Sequence, residues 1–269
     1  MSLYETEKKS GLATVAICIL AALVLLGVGF GAYYSFTKDT IDKVSLCPSS
    51  GATGQFVVLI DNTSPFPFTQ KAALAQRLKS MVANDIPQGA LLTVFLLGED
   101  YKHNSSPVFE KCNPGQWAEK NQWSNTKKFV DKDFREKFEK PLDDVVRQIR
   151  LDVRAKTSPI FEMLQLAGIN GFQHANVHGE KQLIIFSDMA ANMPQFSMYK
   201  TALAPYKDFA KTPYGRDSVA PALSGATVTI NMLAAEPTAA SFTKRAEFWA
   251  QYFSENGASL ERVNPMEGL

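Results

Sequence analysis

Phe56-Val57-Val58-Leu59-Ile60-Asp61-Asn62-Thr63-Ser64 and Leu183-Ile184-Ile185-Phe186-Ser187-Asp188 are the stretches that decide how this chain folds. Each begins as an unbroken aliphatic and β-branched run, and each run leads to an aspartate. Runs of this length read as strands buried on both faces, which predicts a parallel sheet covered by helices. In such sheets ligands bind beyond the carboxyl ends of the strands. Two carboxylates delivered to that edge, with hydroxyls just after the first, predict an oxygen-lined site suited to a hard cation such as Mg²⁺.

Outward from these strands the apolar period alternates between two and 3.6 residues. Leu74, Leu78, Met81 and Val82 share one face of a helix that Thr69 can cap and that Pro87-Gln88-Gly89 ends. Residues 90–97 form a second buried strand, and Val108-Phe109 a short edge strand. A helix is expected over residues 134–153 with a break at Pro141, and another opens at Ser158-Pro159 and runs through Ile160, Met163, Leu164 and Ala167. Tyr199, Leu203, Tyr206 and Phe209 mark a further helical stretch interrupted by Pro205. A strand at 226–233, an amphipathic helix at 241–255 stopped by Gly257, and a last strand at 258–263 complete the series. Strands alternating with amphipathic helices predict an α/β, doubly wound, mostly parallel sheet flanked by helices and joined by right-handed crossovers.

Residues 98–133 break this rhythm. They are polar and irregular, and they carry Trp117 and Trp123. Tryptophan is enriched at interface hot spots, which makes this insertion a candidate partner-binding face. The alternative is that both indoles fold back onto the sheet, as large aromatics commonly do.

The N-terminal region has a different character. No charged residue interrupts positions 12–36, which exceeds the ~20 apolar residues needed to span a bilayer. Lys8 and Lys9 precede the run, Tyr33, Tyr34 and Phe36 stand where an interfacial aromatic belt would, and Lys38 and Asp39 stop it. A cleaved signal peptide would have a shorter apolar core and a small-x-small site, which this run lacks. The expected layout is an N-terminal tail at 1–11, a transmembrane helix at 12–36, a tether at 37–54 and an α/β domain at 55–269. Gly27-x-x-x-Gly31 would let a second helix approach closely in lipid, although glycine is common in membrane helices anyway.

The 28 Lys+Arg and 27 Asp+Glu of this 269-residue chain nearly cancel, so nothing in the balance favours nucleic acid. Outside the apolar run only Cys47 and Cys112 remain, an even number that suits one disulfide in an oxidising compartment, with two unpaired thiols as the alternative. The lysines flanking the span balance each other, and the cysteines tip the expectation toward a cytoplasmic N-terminus with the domain on the extracytoplasmic side.

The oxygen groups expected at the carboxyl edge are Asp61, Thr63, Ser64, Thr157, Ser158 and Asp188. In this set and its order the chain, over residues 55–263, resembles a von Willebrand factor A (vWA) domain. That family carries an Asp-x-Ser-x-Ser loop after the first strand, a hydroxyl from a middle loop and an aspartate after the fourth strand, together a metal-ion-dependent adhesion site (MIDAS). The resemblance implies Mg²⁺ held by Asp61, Thr63, Ser64, Ser158 and Asp188, with a carboxylate of a protein partner completing its coordination. Pro65 departs from the pattern, since it stands where the third side-chain oxygen belongs, and Met189 replaces the usual glycine. The same residues also have plain structural uses as caps and turns.

His174 and His178 have i, i+4 spacing but sit between Gly171 and Gly179 in a stretch expected as a loop before a strand, a weak zinc signal. The chain has no glycine-rich phosphate loop and no Gly-x-Ser-x-Gly elbow. Thr63 stands where a dehalogenase-like phosphatase needs its acid/base aspartate, which argues against that enzyme. The combined expectation is a membrane-anchored vWA-like scaffold that binds protein at the sheet's carboxyl edge and is not an enzyme. The alternatives are a membrane-tethered phosphoester hydrolase using Asp61, and a purely structural subunit of a membrane complex.

Overall fold

The computed structural model describes residues 3–37, 39–65, 67–117, 126–150, 152–174, 176–199, 203–233 and 240–266, which form two units divided after Thr40. The first holds one helix, α1 (Leu3–Thr37). Its segment Thr14–Tyr33 has a mean hydropathy of 2.7, long and apolar enough to cross a membrane. The helix begins within the stretch expected as a tail, where Glu5, Glu7, Lys8 and Lys9 are good helix formers.

In the second unit the strand Gln55–Asp61 (β1) is buried along its whole length. After it come α2 (Phe68–Asn84), β2 (Leu91–Leu97), β3 (Phe109–Cys112), α3 (Lys127–Phe134), a π-turn (Arg135–Glu139), α4 (Lys140–Gln148) and α5 (Ile160–Phe172). Then follow β4 (Lys181–Ser187), the two-residue strands β5 (Asn192–Met193) and β6 (Phe196–Ser197), α6 (Tyr206–Phe209), α7 (Pro213–Asp217), β7 (Ala226–Leu233), α8 (Phe242–Glu255) and β8 (Ser259–Met266). The main sheet has the order β3-β2-β1-β4-β7-β8 and is parallel except for β3, which runs antiparallel to β2. The order grows outward from β1 in both directions, which is the doubly wound arrangement.

Alternate residues of each central strand serve opposite cores. Val57, Leu59, Leu183, Ile185, Val228 and Ile230 pack with residues of α5 and α8. Phe56, Val58, Ile60, Ile184 and Phe186 pack with residues of α2 and α4. Full burial of one such side chain contributes about 1.5–3 kcal/mol, so continuous two-sided burial fixes the register firmly. Gly171 of α5 permits the close approach to β1, because a Cβ there would lie 2.6 Å from Val57 Cγ2.

Several local expectations are corrected. Pro67, with no side-chain cap bond, precedes α2, so Thr69 is inside the helix and not its cap. The helix expected from residue 134 starts at Lys127 and ends at Gln148, because Ile149 turns extended. Its π-turn lies immediately before Pro141, where the missing N–H and the ring disturb the α-helical ladder. The helix expected around Tyr199 is confined to Tyr206–Phe209, after Pro205, and the β5–β6 hairpin ends just before Tyr199.

The stretch expected as a tether belongs to the α/β unit from Ile41 on. Leu46 and Ala52 are buried, and Cys47 is disulfide-bonded to Cys112 at the end of β3. The amide of Cys112 also donates to Ser45 O at 2.8 Å. Trp117 is half-buried, and Trp123 lies outside the described residues.

Candidate functional site

Asp61 is the last residue of β1, one step beyond the paired residues Ile60 and Phe186. Its side chain is 4% exposed. Oδ1 accepts from the backbone N–H of Thr63 at 2.9 Å and from Thr63 Oγ1 at 2.7 Å, closing an Asx-type turn. Oδ2 accepts from Ser187 Oγ at 2.6 Å. Thr63 Oγ1 also lies 3.0 Å from Ser158 Oγ.

The loop before α5 is pinned between its neighbours. Ala155 N donates to Thr63 O at 2.9 Å, Ser158 exchanges backbone hydrogen bonds with Asn192, and Asn192 Nδ2 donates to Lys156 O at 3.0 Å. Ser158 therefore serves the edge and not a helix cap, since α5 begins at Ile160 with Pro159 in the cap position.

Asp188 follows β4 and is as buried as Asp61. Oδ1 accepts from Ala190 N at 2.9 Å, and Oδ2 accepts from the Tyr199 hydroxyl at 2.8 Å. Met189 has a φ of +55°, a left-handed conformation rare for a non-glycine residue. Its N–H donates to Ser187 Oγ at 2.8 Å, and its carbonyl accepts from Trp249 Nε1 at 2.9 Å. Trp249 is itself fixed by aromatic packing, with its ring 4.8 Å from that of Phe161.

Burial pushes both carboxyls above the usual range. Asp188, which also feels the negative charge of Asp61, is pushed up to about 6, with Ala190, Tyr199 and the more remote Arg245 acting the other way. Burial, followed by the charge of Asp188, raises the phenol of Tyr199, with Ser64 acting the other way.

Above these groups is a cleft of about 220 Å³. Thr63, Ser64, Arg154, Thr157, Asn192 and Tyr199 are among the residues that line it. Three residues past Pro65, another wall residue, Phe68 is 74% exposed. The structure thus brings Asp61, Thr63, Ser64, Ser158 and Asp188 together as the sequence placed them. Sequence reasoning missed Ser187, Asn192, Tyr199 and Arg154. Ser187 was visible beside Asp188 but read only as a strand residue, and Tyr199 was assigned to a helix.

In kind, this donor set fits a hard cation. All the side-chain donor atoms are oxygen, and two buried carboxylates that repel each other would gain from a positive ion between them. Pro65 supplies no side-chain donor, and Tyr199 already uses a lone pair of Asp188. Trp117 is not among the cleft residues. His174 lies elsewhere, with Nε2 3.4 Å from Glu110 Oε2. Among the described residues no three His, Cys, Asp or Glu side chains are grouped as metal ligands.

Fold and edge together define a doubly wound, mostly parallel α/β domain, and the chain also carries an N-terminal apolar helix. Among solved structures the chain is similar to the SpRpn10 VWA domain, at 10% identity over 81% of this chain and 91% of that one, with a TM-score of 0.43. It is also similar to an aerotolerance-related membrane protein from Bacteroides fragilis NCTC 9343 carrying multiple mutations to serine, at 9% identity over 80% of this chain and 92% of that one, with a TM-score of 0.39. No family model and no curated protein matches the chain.

Proposed function

We propose that this chain is a membrane-anchored protein-binding scaffold whose partner docks at the carboxyl edge of the sheet. The observation that carries it is the cleft over Asp61 and Asp188, walled by side chains from three separate segments that are hydrogen-bonded to one another. A rigid frame presenting convergent polar groups at this edge is the usual location of a binding site in such folds. Thr14–Tyr33 would anchor the chain as a single span, with the N-terminus cytoplasmic and the domain extracytoplasmic, where a Cys47–Cys112 disulfide persists. Self-association through the Gly27/Gly31 face of α1 is a further part of the proposal.

Mg²⁺ belongs to the proposal as an accessory. Asp61, Thr63, Ser64, Ser158 and Asp188 would hold it, and when bound it would supply a positive, oxygen-seeking centre for an acidic group of the partner. Asp61 does not suit a nucleophile's role, because it is buried and both of its oxygens accept hydrogen bonds from Thr63 and Ser187.

Site-specific photo-cross-linking tests the docking surface. With the cross-linker at Ser64 or Thr157 of the full chain in its native membrane, one and the same partner band is expected; placed at Lys79 on α2, it should give none. Equal labelling from all three positions, or none from the edge, would count against docking there. Calorimetric titration of the purified protein with Mg²⁺, beside Asp61→Ala, tests the ion separately.

A further inference from the structure

Single exposed aliphatic side chains are ordinary on a protein surface, but two stand together where the α/β unit begins. In the turn Ile41-Asp42-Lys43-Val44-Ser45-Leu46, Ile41 is 51% and Val44 77% exposed. The backbone that presents them is fixed. Asp42 Oδ1 accepts from Val44 N at 2.9 Å, from Ser45 N at 2.6 Å and from Ser45 Oγ at 2.8 Å, and Leu46 N donates to Asp42 O at 3.0 Å. Ile41 and Pro48 form an antiparallel bridge, and Asp42 N donates to Cys47 O at 2.9 Å. Leu46, at a φ of +60°, turns inward to the core that contains Phe56 and Ile86. The disulfide to Cys112 and the bond from Cys112 N to Ser45 O then tie the turn to β3. An ordered turn that buries Leu46 while holding Val44 outward keeps apolar surface exposed by its construction.

The turn is attached at the end of the sheet opposite the cleft. Cys112 pairs with Leu91, and Leu91 with Gln55, so the disulfide holds the turn level with the first residues of β1 and β2. The cleft lies beyond their last residues, and at about 3.3 Å per residue these seven-residue strands set the two ends roughly 20 Å apart. In sequence only residues 38–40 stand between α1 and Ile41, a link that reaches at most roughly 14 Å when extended. A chain anchored through Thr14–Tyr33 thus keeps Ile41 and Val44 within reach of the interfacial layer of the bilayer, where aliphatic side chains are favoured. Lys43, exposed between them, can extend its ammonium to the headgroups.

We infer that the Ile41–Val44 turn inserts its two aliphatic side chains into the lipid headgroup layer, and so holds the carboxyl edge and its cleft facing away from the bilayer. This rests on the membrane anchoring proposed above and adds a lipid contact of the α/β unit to it. The occupant is lipid because the pair adjoins the apolar span in sequence and lacks the aromatic and arginine side chains that concentrate binding energy at protein interfaces. The strength of such a contact scales with the apolar area buried, so two aliphatic side chains give a weak one. Tethering makes the contact intramolecular and raises the effective concentration of the turn at the surface, which lets a weak contact bias the orientation of the unit.

The test uses the full chain in phosphatidylcholine nanodiscs, with a diazirine-bearing amino acid at one position at a time and lipid adducts read by mass spectrometry. Val28 in α1 and Val44 in the turn should both give adducts, and Phe68, 74% exposed near the cleft, should give at least tenfold fewer than Val44. Adducts from Val28 without adducts from Val44 would overturn the inference and leave the anchor standing. No adduct at Val28 would remove the anchor and the inference with it. Comparable yields from Val44 and Phe68 would mean that the unit touches lipid without preference for the turn, and would also overturn it. A flexible Gly-Ser segment inserted between Lys38 and Asp39 separates affinity from enforced closeness. Val44 adducts should then keep at least half their yield, and a larger loss would mean that the short link alone brings the turn to lipid. In that lengthened chain Ile41→Asp should cut the Val44 yield at least threefold, and an unchanged yield would refute the role of the aliphatic pair.

Discussion

The hydroxyl of Tyr199 donates to Asp188 Oδ2 at 2.8 Å, joining the residue just past the β5–β6 hairpin to the carboxylate that ends the neighbouring strand's run. Hydrogen bonds to an ionised group contribute more than neutral ones, roughly 1.5–3 kcal/mol. Tyr199→Phe is therefore expected to destabilise the domain by an amount in that range above pH 6, where Asp188 is ionised. It should also drive the Asp188 pKa higher still, because the lost donor favoured the charged form. Urea denaturation of the purified chain at pH 7.5 checks the first effect, and an unchanged midpoint would refute it.

The pH dependence of stability follows from Asp188 itself. Its folded pKa of about 6 lies above the usual 3.8, so the folded state holds this proton more tightly than the unfolded chain does. The stabilisation from that proton is complete below the unfolded value and is lost as pH rises through about 6. The gap corresponds to about 3 kcal/mol. In EDTA, the urea midpoint should fall between about pH 4 and pH 6, and Asp188→Asn should flatten that fall. Parallel slopes for wild type and variant would mean that Asp188 titrates as an ordinary surface carboxylate.

Much of the fold was legible because two-sided burial leaves unbroken apolar runs, and β1 and β4 are such runs. The aspartates after them could be placed at the edge for the same reason. Contacts that depend on tertiary approach left no pattern to read. Ser187 reaches across to Asp61 only because β1 and β4 are neighbours, which strand order decides and local sequence does not. Tyr199 shares a helical period with Leu203 and Tyr206, yet Pro205 and the hairpin override that propensity. Arg154 lies beyond the helix expected over residues 134–153, and its place at the cleft follows only from the path the chain takes after Ile149 turns extended.

Loss of the Cys47–Cys112 bond should be costly, because it closes a loop with a sequence separation of 65 and ties residues 41–54 to the end of β3. Loop-closure entropy gives about 4 kcal/mol as the scale of the loss for Cys47→Ser. The melting midpoint should drop markedly in that variant and in wild type treated with reductant. Neither thiol should react with an alkylating reagent before reduction. Immediate labelling of Cys112 in the folded protein would show the bond absent and remove this contribution.

Met189 sets strain against packing in a way a single substitution can resolve. At φ +55° a non-glycine residue carries roughly 1–2 kcal/mol of backbone strain, and glycine would relieve it. The Met189 side chain, however, is fully buried in the core that contains Trp249 and Phe161, where removing a side chain of its size costs about 2–5 kcal/mol. The packing loss is the larger, so Met189→Gly should be net destabilising by about 2 kcal/mol despite the easier backbone. The backbone is held in place by Ser187 Oγ on the N–H and Trp249 Nε1 on the carbonyl, and the neighbouring Asp188 is oriented by that same turn. Equilibrium denaturation of Met189→Gly decides the sign, and a gain in stability would mean that strain at this turn, not packing beneath it, dominates at the edge of the cleft.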